Sequence, residues 1–334
     1  MGFAEKYNKN YKRLLIIPAA LLALSLIYLI IFYVQTGDMI NKDVTLTGGT
    51  TITLFTSIPA SEIESALSSI ADFETRTITD NTGQQTQIII IVPEEKADTT
   101  IQTLETFLGQ KLDENNSSIE TVSSSLGQNF YKQLIISVLI AFFWMAAVVF
   151  LIFSKGKKTK ALVVVLNILL GILLGSIFSQ NYFTLKIILI IFLMAYLIYT
   201  YIKNSVPSFA VMLSAFADIV MTLAVVDLLG MKLSSAGIVA FLMLIGYSVD
   251  TDILLTTRIL RRKESINREL FGAFKTGVTM TLTSIIAVAA ALIVVMSLNS
   301  VLTQIFTILL IGLAFDLLNT WLTNASIIKW YASR

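Results

Sequence analysis

The chain has 334 residues, of which 55% are hydrophobic and 14% charged, with a mean hydropathy of +0.79 and a formal net charge of +2. Ordinary soluble domains carry about 25% charged residues, so this composition describes a polytopic membrane protein and excludes a single water-soluble globule. There is no Cys and no His; disulfides and thiolate chemistry are excluded, the commonest metal ligand and near-neutral proton carrier is missing, and any proton chemistry must run on carboxylates.

In chain order, residues 1–13 are basic, and Leu14 to Val34 is an apolar run long enough to span a bilayer. The run is too long for a cleaved signal peptide and lacks a small-residue cleavage site behind it. It therefore reads as a retained first helix (14–34) after a cytoplasmic N-terminus. Residues 35–132 change character, with 14 acidic against 5 basic side chains; a low basic content suits the extracytoplasmic side. Thr50–Ser57, Phe73–Thr79, Thr86–Val92 and Ser118–Val122 read as strands, and Ser61–Ala71 and Ala97–Leu112 as helices. Asp80-Asn81-Thr82-Gly83 signals a hairpin turn. The order βαββαβ predicts an α+β, ferredoxin-like domain, small enough to lean on a neighbour. Asn115-Asn116-Ser117-Ser118 holds overlapping N-glycosylation sequons, a motif that arises often by chance.

Residues 133–153 form the next span, and Lys155 to Lys160 then puts four positive charges on a short loop. The positive-inside rule makes that loop cytoplasmic; topology marking is the simpler reading beside docking of a ribosome or acidic lipid. Two further apolar runs, Ala161–Ser179 and Leu185–Ile202, make a hairpin (161–202) with no acid in it. Residues 206–329 hold four more spans, and 330–334 form a cytoplasmic tail. The first of the four carries Asp218, and Asp227 near its outer end reads as interfacial. The third comes after a polar stretch, Glu264–Glu269, expected as a short surface helix. The last carries Gln304, Asp316, Asn319 and Asn324. The total is about eight helices.

The second span of this group, Ser234 to Arg258, places Gly246-Tyr247-Ser248-Val249-Asp250-Thr251-Asp252, then Thr256-Thr257-Arg258, where hydrocarbon should continue. A charge near the bilayer centre costs about 2.5–3.5 kcal/mol on insertion scales, so such residues face a bundle interior or a water-filled path. At about 100° per residue, Gly246, Asp250, Thr257 and Arg261 share one face, and Asp252 lies about 200° from Asp250. One acid is expected to line a functional seam and the other to meet a partner helix or hydroxyl. At about 1.5 Å per residue, Asp218, Asp250 and Asp316 fall about 16, 12 and 13 Å above the cytoplasmic boundary. Arg258, snorkelling, closes that group from below. Either an ion-pair lock between helices or a proton relay accounts for such a cluster.

The 246–258 motif closely resembles the fourth-helix motif of the SecF family, the smaller partner in SecD–SecF protein-export complexes of the RND superfamily. The wording with Asp250 and Asp252 is that of the archaeal branch; bacterial members usually read Gly-Tyr-Ser-Ile-Asn-Asp-Thr, which puts their acid at the position of Thr251. Arg258 matches the family arginine, and Asp218 the acid that SecF and RND relatives carry in their third helix. Thr47-Gly48-Gly49-Thr50 resembles the family's Gly-Gly turn before the outer domain, where paired glycines permit positive φ; the stretch lacks the pattern of a phosphate-cradling loop. Ser125-Leu126-Gly127 is also similar to the family. SecF proteins ordinarily have six transmembrane helices, so the 161–202 hairpin is an addition, and an even number of crossings preserves the downstream topology.

The resemblance implies an RND-type transmembrane half in the cytoplasmic membrane with SecD, the Sec translocon, secreted polypeptides and membrane lipid as partners. It implies ion coupling or gating by Asp218, Asp250, Asp252, Asp316 and Arg258, with Gly48, Gly49 and Gly246 as turn and motif glycines. No nucleic acid, cofactor or metal is implied. An RND-like exporter of lipids or small molecules would need a larger outer domain or a second repeat. An intramembrane aspartyl protease is disfavoured because Gly312-Leu-Ala-Phe-Asp316 is not Gly-x-Gly-Asp, so the chain does not read as an enzyme. A structural membrane subunit without ion coupling is the main rival.

Overall fold

The computed structural model describes residues 3–70, 73–79, 84–177, 182–262, 264–296 and 301–334. The Asp80–Gly83 turn signal lies outside the described residues. Among them, eight helical segments are long and apolar enough to cross a membrane. An amphipathic helix α1 (Phe3–Leu14) leads into the first of these, α2 (Ile16–Thr36), which ends on Gly37 in the left-handed conformation. A single turn, α3 (Val44–Thr47), is capped by Asp43, whose carboxylate accepts from the Val44 N–H at 2.5 Å.

The sheet domain comes next as β1 (Gly49–Leu54), α4 (Ala60–Ala66), β2 (Glu74–Thr79), β3 (Gln85–Val92), α5 (Ala97–Leu108) and β4 (Ser117–Val122). Every described strand pairing is antiparallel and the order across the sheet is β2-β3-β1-β4. Alternation of apolar residues builds the domain's core: Ile52, Leu54, Ile88 and Ile90 are fully buried against Ile63, Leu67 and Leu104 of the helical layer.

The chain returns through α6 (Ser124–Phe153), capped by the Ser123 hydroxyl accepting from Leu126 N–H. Beyond it lie the hairpin α7 (Lys157–Gly175) and α8 (Phe183–Asn204), then α9 (Val206–Leu228), α10 (Ser235–Leu260), α11 (Ile266–Val295), α12 (Val301–Asn319), a π-helical turn at Thr320–Asn324, and α13 (Ala325–Ala332). Caps place the breaks: Ser205 accepts from Ser208 N–H with Pro207 in the first turn of α9, and Ser234 accepts from Gly237 N–H at the start of α10. The polar stretch at 264–269 differs from expectation. Ser265 sits at the N-cap position and residues from Ile266 onward form the first turns of α11, because no helix breaker separates them from the apolar run.

Burial separates centre from rim. In α9 and α10, 67% and 56% of the most apolar window is buried, against 6% in α2 and in α11. α9, α10 and α12 pack mutually, and a small residue permits a close approach: a Cβ on Gly312 of α12 would come within 2.5 Å of Leu244 on α10. The α7–α8 hairpin packs on the flank of α6 and α9 through Phe150, Leu197, Tyr201 and Met212, with the buried Asn167 amide donating to the Tyr201 hydroxyl at 3.3 Å.

Candidate functional site

Three carboxylates meet in the centre of the bundle, one from each of α9, α10 and α12. Asp218 and Asp252 are 0% exposed and Asp316 is 1% exposed. Each is held by a neutral donor from another turn or helix. Ser248 of α10 donates its hydroxyl to Asp218 Oδ2 at 2.5 Å, and the Asn319 amide donates to Asp218 Oδ1 at 2.7 Å. The Asn324 amide donates to Asp252 Oδ1 at 2.8 Å, and the Thr320 hydroxyl to Asp316 Oδ1 at 3.2 Å. The second oxygens, Asp252 Oδ2 and Asp316 Oδ2, are buried with no hydrogen-bond partner among the described residues, as is the hydroxyl of Ser214.

None of the three acids makes an ion pair among the described residues. That removes the ion-pair lock as the reason for the cluster. Ser214 and Ser248 lie close enough to act as further neutral donors to Asp252 and Asp316. Carboxyls held by neutral donors on one oxygen and open on the other can take up and release a proton, or meet a small cation, at that open oxygen.

Two expectations are corrected by the geometry. Depth alone groups Asp250 with Asp218 and Asp316, yet Asp250 faces outward on α10 and is exposed, and Asp252 takes the place in the cluster. The two acids lie about 200° apart around the helix, so only one can face α9 and α12. Arg258 does not close the group from below; it is half-buried, makes no ion pair among the described residues, and a Cβ on Gly272 of α11 would meet its Nη1 at 3.4 Å. Gly246 is exposed like Asp250, with nothing near the Cβ position.

Gly48 and Gly49 lie far from the acids. Both take positive φ, +85° and +152°, and a Cβ on Gly48 would stand 2.3 Å from Ser124 Cα. Gly127 faces Gly48 in turn, its own Cβ position 2.5 Å from Gly48 N. The segments entering and leaving the sheet domain thus touch backbone to backbone. The same junction is stitched to the α9–α10 loop: Asp43 N–H donates to Leu233 O at 2.9 Å, Leu233 N–H to Asn41 O at 2.6 Å, and Asn41 N–H to Asp227 at 3.2 Å. Asp227, read from sequence as merely interfacial, is 5% exposed and anchors this linker. Gln304 of α12 fixes the loop from behind, accepting from the Ser234 hydroxyl and donating to Lys232 O.

The side chains that hold the acids are Ser248, Asn319, Thr320 and Asn324; Ser248, Asn319 and Asn324 stood out in the sequence as polar residues inside apolar runs but without a role, and Thr320 was not singled out. The π-helical turn that delivers Thr320 and Asn324 carried no compositional mark.

Comparison with known proteins gives a consistent family. Residues 169–334 match the model described as Protein export membrane protein SecD/SecF, C-terminal. The chain is 35% identical over 330 residues to the protein-export membrane protein SecF of Methanocaldococcus jannaschii, covering 97% of this chain and 96% of that one. The chain belongs to the SecF family. It is 31% identical over 321 residues to the Haloferax volcanii SecF (96% and 92% coverage), and 49% over 142 residues to that of Methanothermobacter thermautotrophicus (41% and 50%). The crystal structure of SecDF, a translocon-associated membrane protein from Thermus thermophilus, shares the fold with a TM-score of 0.60 at 15% identity; all of this chain is covered but only 40% of that one. This SecF-family chain is accordingly a multi-pass membrane protein of the protein-export class, built as a helical bundle with one small sheet domain.

Proposed function

We propose that this chain is one half of a two-subunit export machine, pairing with a SecD-type partner through α10 and coupling an ion gradient to the export of polypeptide. The observation that carries the pairing is the outward position of Asp250. Val239, Met243, Gly246, Asp250 and Thr257 recur at heptad-like spacing on the face of α10 turned away from its own bundle, with Val239 42% and Met243 41% exposed. A carboxylate on such a face would cost about 2.5–3.5 kcal/mol against lipid, and Gly246 leaves space for a second helix to approach closely. Asp250 has no partner among the described residues, so a helix from another subunit is the natural cover. In the SecDF crystal structure the matched part is only 40% of the chain, which supports a second, SecD-like portion as the counterpart of this one.

On this reading Asp218, Asp252 and Asp316 are the coupling acids, for protons or sodium ions. The βαββαβ order with sheet order β2-β3-β1-β4 supports a ferredoxin-like domain, and its acidity together with the basic loop at 155–160 supports a position outside the membrane. The test is export into vesicles holding this chain and its SecD partner, with and without an imposed gradient. Asp252→Asn is expected to lose only the gradient-dependent increment, while Asp250→Asn weakens co-purification of the partner. If both variants assemble and export like wild type, the chain is a scaffold.

A further inference from the structure

The π-helical turn between α12 and α13 has a consequence at the other end of the sequence. Within Thr320–Asn324 the Ala325 N–H donates to the Thr320 carbonyl, five residues back. In a regular α-helix it would donate four residues back, to Trp321. The Trp321 carbonyl, deprived of that donor, accepts instead from the hydroxyl of Tyr7 at 3.0 Å, across 314 residues of sequence. Tyr7 belongs to α1, and α1 is seated there by more than this bond. Tyr7 packs against the buried cluster that includes Trp321, Ala325 and Ile328; Ser326 donates its hydroxyl to Tyr11 O at 3.1 Å; and the Lys329 ammonium stands 4.7 Å from the Tyr11 ring centroid.

The two residues that touch Asp316 and Asp252, Thr320 and Asn324, are the first and last of this widened turn. Returning the Ala325 N–H to Trp321 would rewind the turn and rotate α13 against α12 by about 100° for the residue taken out. Thr320 and Asn324 would no longer keep their spacing. We infer that Tyr7 is a positioning residue for the buried acids: its hydroxyl occupies the Trp321 carbonyl, competes with the α-helical register, and so keeps Asn324 on Asp252, beyond the surplus residue, while Thr320 holds Asp316 from the preceding turn of α12. The titratable groups around the turn are Asp218 of α9, Asp252 of α10 and Asp316 of α12 on one side, and Lys329 and Tyr11 on the α1 side. Wide turns of this kind are uncommon and frequent at functional sites. The inference rests on the coupling role proposed above.

The test uses the full chain with its partner in vesicles, comparing Tyr7→Phe, which removes only the hydroxyl, with Tyr11→Leu, which loosens α1 by taking away the ring under Lys329 and leaves the Tyr7 hydroxyl and the Trp321 carbonyl in place. Two readouts are taken: the gradient-dependent increment of export, and the infrared carboxyl band that Asp252→Asn abolishes. Tyr7→Phe is expected to cut the increment about five-fold, the equivalent of one hydrogen bond, to move the Asp252 band, and to leave gradient-free export unchanged. Tyr11→Leu is expected to keep the increment and the band of wild type. An unmoved band in Tyr7→Phe, or equal effects of both variants, would overturn the assignment. If wild type shows no gradient-dependent increment, the coupling role fails, and the band still decides the position of Tyr7.

Discussion

Asp250 and Asp252 stand two residues apart on α10 and meet opposite worlds, one facing out of the bundle and the other fully buried on Asn324. Replacing Asn324 by Leu leaves the Asp252 carboxyl without its donor, and a loss of about 1–3 kcal/mol is expected. It should be read as a lower thermal midpoint of the purified chain, with Asp250→Asn unchanged in the same assay. Gly48→Ala and Gly127→Ala place a methyl group 2.3 and 2.5 Å from backbone atoms across the junction, and Gly48 also needs its positive φ. Both are expected to open the sheet domain to protease in intact vesicles, whereas Gly246→Ala, with open space at its Cβ, leaves the digestion pattern of this chain unaltered. The helical period made it legible that the two acids diverge. Which of them turns inward was not legible, because Leu, Ile and Val serve equally against lipid and against other helices, so the apolar residues around the motif do not mark the bundle side.

At the scale of elements, the strands and helices of the sheet domain were readable because that domain has one wet side and one dry side. Its alternation therefore maps directly onto burial, as Ile52, Leu54, Ile88 and Ile90 show. The spans were readable from length alone. The π-helical turn was not, since a widened turn is one surplus residue in a run that stays apolar and helical throughout, with Trp321 and Leu322 as plausible in either register. The stitch between the 41–45 linker and the α9–α10 loop was equally hidden, being made largely of backbone groups. It is held by one side chain from a third helix. Gln304→Leu removes the acceptor of the Ser234 hydroxyl and the donor to Lys232 O; faster hydrogen exchange is expected at the Leu233 and Asp43 amides, with the amides of α9 unaffected.

For the molecule as a whole, the three acids are furnished by α9, α10 and α12, and among the described residues their hydrogen-bond partners come from α10, α12 and the π-helical turn and not from the α7–α8 hairpin. Removing residues 155–204 uncovers Phe150 and Met212 to lipid, which accepts apolar surface at little cost. On the role proposed above, such a variant, joined by a short linker, is expected to insert, bind a SecD-type partner and retain any gradient-dependent export of the full chain; failure to co-purify with the partner would give the hairpin a role in assembly. The α9–α10 loop, by contrast, joins the helices that carry Asp218 and Asp252 and is hydrogen-bonded to the linker of the sheet domain.

The contact of Gly48 with Ser124 and Gly127 has a further meaning for the history of such a chain. Because the segments entering and leaving the sheet domain touch, the domain is a closed excursion from the membrane bundle that begins and ends at a single point. An excursion of that kind can be lengthened, shortened or exchanged for another fold without altering the separation of α2 and α6, and the bundle beneath it is therefore a socket into which evolution can fit different heads.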